Sequence, residues 1–204
     1  MSSKEDILKK YRSNVRERFD MPELDDIKAI TYPDPLQQFV QMTKSVGGNA
    51  IEVEKGGDVN ALIRELYPDA VQIASNLPEI TIATLSPDEV GEAGDLNGTD
   101  VGVIRGEFGV AENACVWIPQ AMKEKAVMFI SENLVILLDK KQIVNNMHEA
   151  YARLQERMGC GIDRFDGFGF GTFISGPSKT ADIAQVLVMG AQAARTATVL
   201  LLDE

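Results

Sequence analysis

Helix-period and strand-period hydrophobic patterns alternate at both ends of this chain, and short apolar runs cluster between them. That order excludes an all-helical bundle and an all-β sandwich, and it predicts a largely parallel α/β sheet flanked by helices, with an antiparallel portion. At 204 residues the chain is read as one α/β domain over 1–204, in which 1–35 form an N-terminal helix and connector.

From the N-terminus, Ser3 can cap a helix that carries Ile7, Leu8, Tyr11 and Val15 on one stripe. A Pro- and Asp-containing connector spans 21–35. Pro35 then opens a second helix, closed by Gly47-Gly48. A strand over 49–54 follows. Asp58 caps a third helix, which ends at Pro68, and 71–74 reads as a strand.

Residues 76–100 read as loops around a short segment at 79–85. Four closely spaced runs, 100–105, 114–119, 126–130 and 134–138, read as strands, and their short connections predict an antiparallel pair among them. The most periodic helical stripe is Ile143, Met147, Tyr151, Leu154 and Met158, which predicts one helix over 140–158. A Gly-rich loop over 159–171 holds Phe168 and Phe170. A strand at 172–175, a turn at 176–179, a helix over 180–194 and a buried terminal strand at 196–202 complete the reading.

Composition narrows the partners. There are 31 Asp and Glu against 20 Lys and Arg, a net charge of −11, so a broad phosphate-binding surface is not expected and nucleic acid is set aside. The charged start, Met1–Arg18, lacks a secretory apolar core, and Leu134–Leu138 is far short of the roughly 20 residues a membrane helix needs. The expected location is the cytoplasm. Cys115 and Cys160, with the single His148, are too few for a four-ligand zinc or iron–sulfur centre, so no metal or cofactor is assigned to this chain.

Two segments could carry chemistry. The first, Phe173-Ile174-Ser175-Gly176-Pro177-Ser178-Lys179-Thr180-Ala181-Asp182-Ile183, reads as strand, small-residue loop and helix start. In that arrangement Gly176 permits close backbone approach, Ser175, Ser178 and Thr180 supply hydroxyls, Lys179 supplies charge, and first-turn N–H groups face an anion. The plainer reading is that Ser178 or Thr180 caps the helix, with Asp182 in its first turn. The second segment is Gly106-Glu107-Phe108-Gly109-Val110-Ala111-Glu112-Asn113-Ala114-Cys115, in which two loop glutamates are either catalytic carboxylates or solvated side chains.

These residues carry a resemblance. Ile174–Ile183 resembles the C-terminal signature of LUD-domain proteins, roughly SGPS-[RK]-TADIE, and Gly109–Val116 resembles an upstream family segment, roughly GIAETGTLV. Two departures stand out: Glu112-Asn113-Ala114-Cys115 replaces ETGT, and Gly190–Ala194 replaces a Gly-Val-His-Gly-Pro-like stretch. The resemblance implies a fold similar to the NagB/RpiA/CoA-transferase group and a place in the lactate-utilization branch. It implies oxidation of L-lactate to pyruvate alongside iron–sulfur partner subunits that hold the clusters.

On that footing Glu112 is the expected catalytic carboxylate. Ser175, Gly176, Ser178, Lys179, Thr180 and Asp182 are the expected contacts to a small carboxylate or phosphate. A stand-alone enzyme on an acyl-CoA or sugar phosphate, and a small-anion binding module, are the competing readings.

Overall fold

The computed structural model describes residues 3–15, 17, 19–20, 27–158, 171–180 and 186–204. In chain order the helices are α1 (Ser3–Asn14), α2 (Pro35–Ser45), α3 (Val59–Leu66), α4 (Val127–Ile130) and α5 (Met147–Met158). The strands are β1 (Asn49–Glu52), β2 (Ile73–Ala74), β3 (Val101–Arg105), β4 (Phe108–Val110), β5 (Cys115–Pro119), β6 (Asn133–Asp139), β7 (Ile143–Val144), β8 (Gly171–Ile174), β9 (Lys179–Thr180), β10 (Val188–Met189) and β11 (Thr196–Leu202).

The centre is a five-stranded, wholly parallel sheet in the order β1-β11-β6-β3-β2. A four-stranded sheet, β7-β4-β5-β8, contains the antiparallel pairs β4–β5 and β5–β8. The expected α/β class with an antiparallel portion is what the chain adopts. Strands β6 and β11 each bury five consecutive residues, Leu134–Leu138 and Ala197–Leu201, as strands covered on both faces must.

Strand alternation distributes the side chains among three cores. On β6, Leu134, Ile136 and Leu138 join a cluster with Phe39 of α2 and with Val116 and Ile118 of β5. The intervening Val135 and Leu137 pack with Ile63 of α3 on the opposite face. The far side of β4–β5 forms a third cluster, in which Phe108, Val110 and Trp117 meet Ala150 and Leu154 of α5 and Phe173 of β8. The molecule is therefore layered as α3, parallel sheet, second sheet with α2, then α5.

Helix signals at α2 and α3 act as their chemistry predicts. The Asp34 carboxylate accepts from Gln37 N at 2.9 Å, and Gly47 takes φ 81° just past the helix end. Asp58 accepts from Asn60 N and Ala61 N. No residue of α1 is buried, so the stripe of Ile7, Leu8, Tyr11 and Val15 faces solvent.

Four expectations are corrected. The run 126–130 contains the short helix α4 rather than a strand. The span 140–158 is not one helix: a 3-10 turn at Lys140–Gln142 leads into β7, which pairs with β4, and α5 starts only at Met147. The antiparallel pair is not formed among the four runs. The runs at 100–105 and 134–138 pair in parallel, while 114–119 pairs with Phe108–Val110, which had been read as loop. The predicted helix over 180–194 is absent from its described residues. Lys179–Thr180 pairs antiparallel with Val188–Met189, and Gly190 bends back at φ 72°. Leu187, which falls at helical spacing in this span, is 59% exposed. Residues 159–170 and 181–185 lie outside the described residues, and with them Cys160, Phe168, Phe170 and Asp182.

Candidate functional site

Strands β4 and β5 are joined by the turn Ala111–Ala114, closed by the Val110↔Cys115 pair. The Asn113 side chain accepts from Cys115 N at 3.1 Å, a local bond that Asn supplies readily in turns. Ala114 takes φ 56°, alone among described non-glycine residues in the left-handed region. That conformation costs an alanine roughly 1–2 kcal/mol. It accounts physically for the glycine in the family-like ETGT pattern at this position, and Ala114 is held there by burial in the core, 2% exposed.

The same turn delivers Glu112. Its N–H donates to Asn145 O at 3.0 Å, and its carboxylate Oε2 accepts from Met147 N, also at 3.0 Å. Met147 is the first residue of α5, so Glu112 caps a helix that belongs to another part of the chain. The same helix start is closed again by Asn146 Oδ1, which accepts from Glu149 N at 3.0 Å. Asn145 N donates in turn to Glu149 Oε2, and the Asn145 side chain accepts from Tyr32 N. Glu112 is thus half-buried in a network, not a solvated loop carboxylate.

Ser175 arrives from β8, whose Ile174 lies opposite Val116. Its Oγ donates to Asn113 O at 2.7 Å. The Cys115 thiol beside it is pushed up, first by burial and further by the Glu112 charge, against a lowering hydrogen bond with Ser175. Glu112, Ser175 and Cys115 therefore form one cluster.

The rest of the motif turns away from that cluster. Gly176, at φ 64°, is pressed onto Val46, where an added Cβ would lie 3.0 Å from the Val46 carbonyl oxygen. Ser178 N donates to Ala194 O, and Thr180 sits in the β9–β10 pair. Lys179 is exposed, and a Cβ at Gly47 would lie 3.6 Å from its Nζ, which places the ammonium over the C-terminal turn of α2. Among the described residues, no helix follows Ser178 and Thr180, where the sequence had suggested one. His148 is exposed on α5.

A second constellation lies at the carboxyl ends of β2 and β3. A cavity of about 330 Å³ is lined there by Asn76, Leu77, Arg105, Glu107, Pro119 and Met122 among others. Arg105 had not been singled out from sequence. It donates through one terminal nitrogen to Glu79 Oε1 at 2.5 Å and through the other to Glu204 Oε1 at 2.7 Å. Desolvation opposes the Glu79 charge, but the Arg105 hydrogen bond wins and holds that carboxyl below its ordinary range.

Residues 36–202 match the LUD domain family, and the chain belongs to it. The fold is similar to the crystal structure of a DUF162 family protein from Deinococcus radiodurans, with a TM-score of 0.60 and 13% sequence identity over 85% of this chain and 99% of that one. No match is found among curated proteins. Among the described residues, no helix is long and apolar enough to cross a membrane.

Proposed function

We propose that this chain is a cytoplasmic component of an L-lactate utilization system, nearest in kind to lactate utilization protein C. It works with iron–sulfur partner proteins to oxidise lactate to pyruvate. The oxidation releases two electrons and two protons. A chain with two cysteines offers no cluster of its own to receive the electrons, so in this reading they leave through the partners.

The supporting observation is that the two family-like segments, far apart in sequence, meet through the Ser175–Asn113 hydrogen bond and bring Glu112 and Cys115 to the same place. Ser175 is the contact proposed for a small carboxylate there. The competing reading, a stand-alone enzyme using Glu112 as nucleophile on an acyl-CoA, fits less well, because Oε2 of that carboxylate is already held by Met147 N. The test is reconstitution. Lactate should reduce the partners' iron–sulfur centres only when this chain is present. Turnover of an acyl-CoA by the purified chain alone, or full lactate reduction without it, overturns the reading.

A further inference from the structure

We propose that α1 is a docking helix for a second copy of this chain, and that its seat there is the acidic cavity that follows the carboxyl end of β2.

A helix of 12 residues is marginal in water when nothing packs on it. Yet α1 buries no residue against its own chain, and Ile7 and Tyr11 are 65% and 69% exposed. Side chains four apart stand in rows on a helix, and the rows of α1 sort its charges. Ile7, Tyr11 and Val15 form one row, and Lys4, Leu8 and Arg12 form the row beside it. This face is apolar, and its only charges are positive. Glu5 and Asp6 fall in the two other rows, with Lys9 and Lys10. The segment is also a basic island: residues 1–18 hold six Lys and Arg against three Asp and Glu, which leaves a net −14 on the rest of the chain. The surface complementary to such a face has an apolar floor and an acidic rim.

The stretch after α3 offers that surface. From Glu65 to Ile104 there are eight Asp and Glu and no Lys or Arg. A cavity of about 550 Å³ opens in this stretch, lined by Ala83, Leu85, Glu89, Val90 and Asp95 among others. Its floor is fixed. Ser75 N donates to Leu85 O at 3.0 Å, Leu85 bridges to Ala74 of β2, and Val90 is 6% exposed within the main core. Its rim is acidic, since Asp88, Glu89, Glu92 and Asp95 are all exposed. Asp88 accepts from Lys123 N and Asn76 Nδ2, and Asp95 Oδ2 accepts from Gly91 N and Glu92 N. These donors are neutral and leave the negative charge in place. The Lys123 ammonium reaches the same wall and donates to Val90 O at 2.6 Å.

Within one copy α1 packs on nothing, so the helix that fills this cavity comes from another. Asn146 and Asn145 tie down Ile30 O and Tyr32 N, and residues 15–29 can extend by about 50 Å, enough to cross to a neighbour. Reciprocal exchange of α1 between two copies is self-complementary and closes as a twofold dimer. Each seat takes four apolar side chains, Ile7, Leu8, Tyr11 and Val15, which makes a small interface and a weak dimer. In dilute solution α1 is therefore free, and it docks as the protein is concentrated.

The experiment is sedimentation equilibrium of the whole chain from micromolar to millimolar concentration, with amide NMR over the same range. The mass should rise from one chain toward two, with shifts in α1 and in residues 83–95, and added salt should oppose the rise. Tyr11→Glu, Arg12→Glu and Glu89→Lys should each weaken the dimer about tenfold or more, the effect of a like-charge contact or a buried unpaired charge. Arg12→Glu combined with Glu89→Lys in one chain should recover most of that loss. All three positions are exposed, so melting temperatures in dilute protein should match wild type, which separates lost docking from lost folding. A mass of one chain at millimolar protein overturns the proposal, as does a dimer that survives removal of residues 1–14. Shifts at 83–95 that depend on α1 in a species of one chain would make the helix its own occupant. Uptake of α1 by phosphatidylserine vesicles with no rise in mass would make lipid the occupant. Either result also refutes docking on a second copy.

Discussion

Glu112 was expected as a catalytic loop carboxylate, and its geometry makes a sharper prediction about stability. Its Oε2 accepts from the first N–H of α5 at 3.0 Å. Removing such a capping side chain costs about 0.5–2 kcal/mol, and the charge at a helix N-terminus contributes roughly 0.3–1 kcal/mol of interaction. Glu112→Ala should therefore destabilise by about 1–2 kcal/mol. Glu112→Gln keeps an oxygen acceptor and loses mainly the charge, so it should cost less than about 1 kcal/mol. The assay is urea unfolding followed by fluorescence. The single tryptophan, Trp117, packs on Phe173 with ring centroids 4.9 Å apart, in the layer covered by α5. If Glu112→Ala unfolds at the wild-type midpoint, the cap contributes nothing and the structural role is wrong. If Glu112→Gln is stable yet loses lactate-dependent function, the carboxylate has a chemical role beside the cap.

Further predictions follow from the same contacts. Glu112→Gln removes a charge that raises the Cys115 thiol, so alkylation of Cys115 in a Cys160→Ser background should set in at lower pH, whereas Ser175→Ala should move it to higher pH; shifts in the reverse order would contradict the cluster. Asp100 Oδ2 accepts from Gln72 N and Val71 N, both at 2.8 Å, and these bonds hold its carboxyl below the ordinary value. Its stabilisation is therefore complete above the unfolded value of about 3.9 and is lost as pH falls through the lower folded one. Melting temperatures of Asp100→Asn should be lower at neutral pH and fall less steeply in acid, and an unchanged pH profile would refute this. Deleting residues 1–14 should leave the melting temperature unchanged, because α1 buries nothing; a loss would mean the helix packs in solution.

The fold was legible wherever a local signal and a burial pattern agreed. Asp58, Gly47 and the Val- and Leu-rich strand at 196–202 each did what their chemistry requires. Misreadings arose where one pattern served two structures. A short apolar run such as Val127–Ile130 fits a buried turn of helix as well as a strand. Ile143 falls at helical spacing from Met147, yet its partner is Gly109 across a sheet. The correct start of α5 was written in the sequence all the same, since Asn146 followed by Glu149 three residues later is a capping pattern. Gly109 made β4 look like a loop, but the glycine is there because Leu138 and Phe39 close on it, each 3.0 Å from where a Cβ would stand.

The site was harder to read because its contacts are set by layer packing rather than by neighbours in sequence. Glu112 meets Met147 across 35 residues, and Ser175 meets Asn113 across 62. The two glutamates of the segment looked equivalent, separated by one short strand, and the family-like pattern favoured Glu112. Their environments separate them. Glu112 follows β4 into a turn beneath α5, where a helix start takes its carboxylate. Glu107 precedes β4 at the seam between the sheets, where Gly106 is closed in by Val116 and Ile136 and the Glu107 Oε2 is closed off from solvent. The surroundings of each glutamate are thus decided by packing between the layers, which becomes visible only when both sheets are in place.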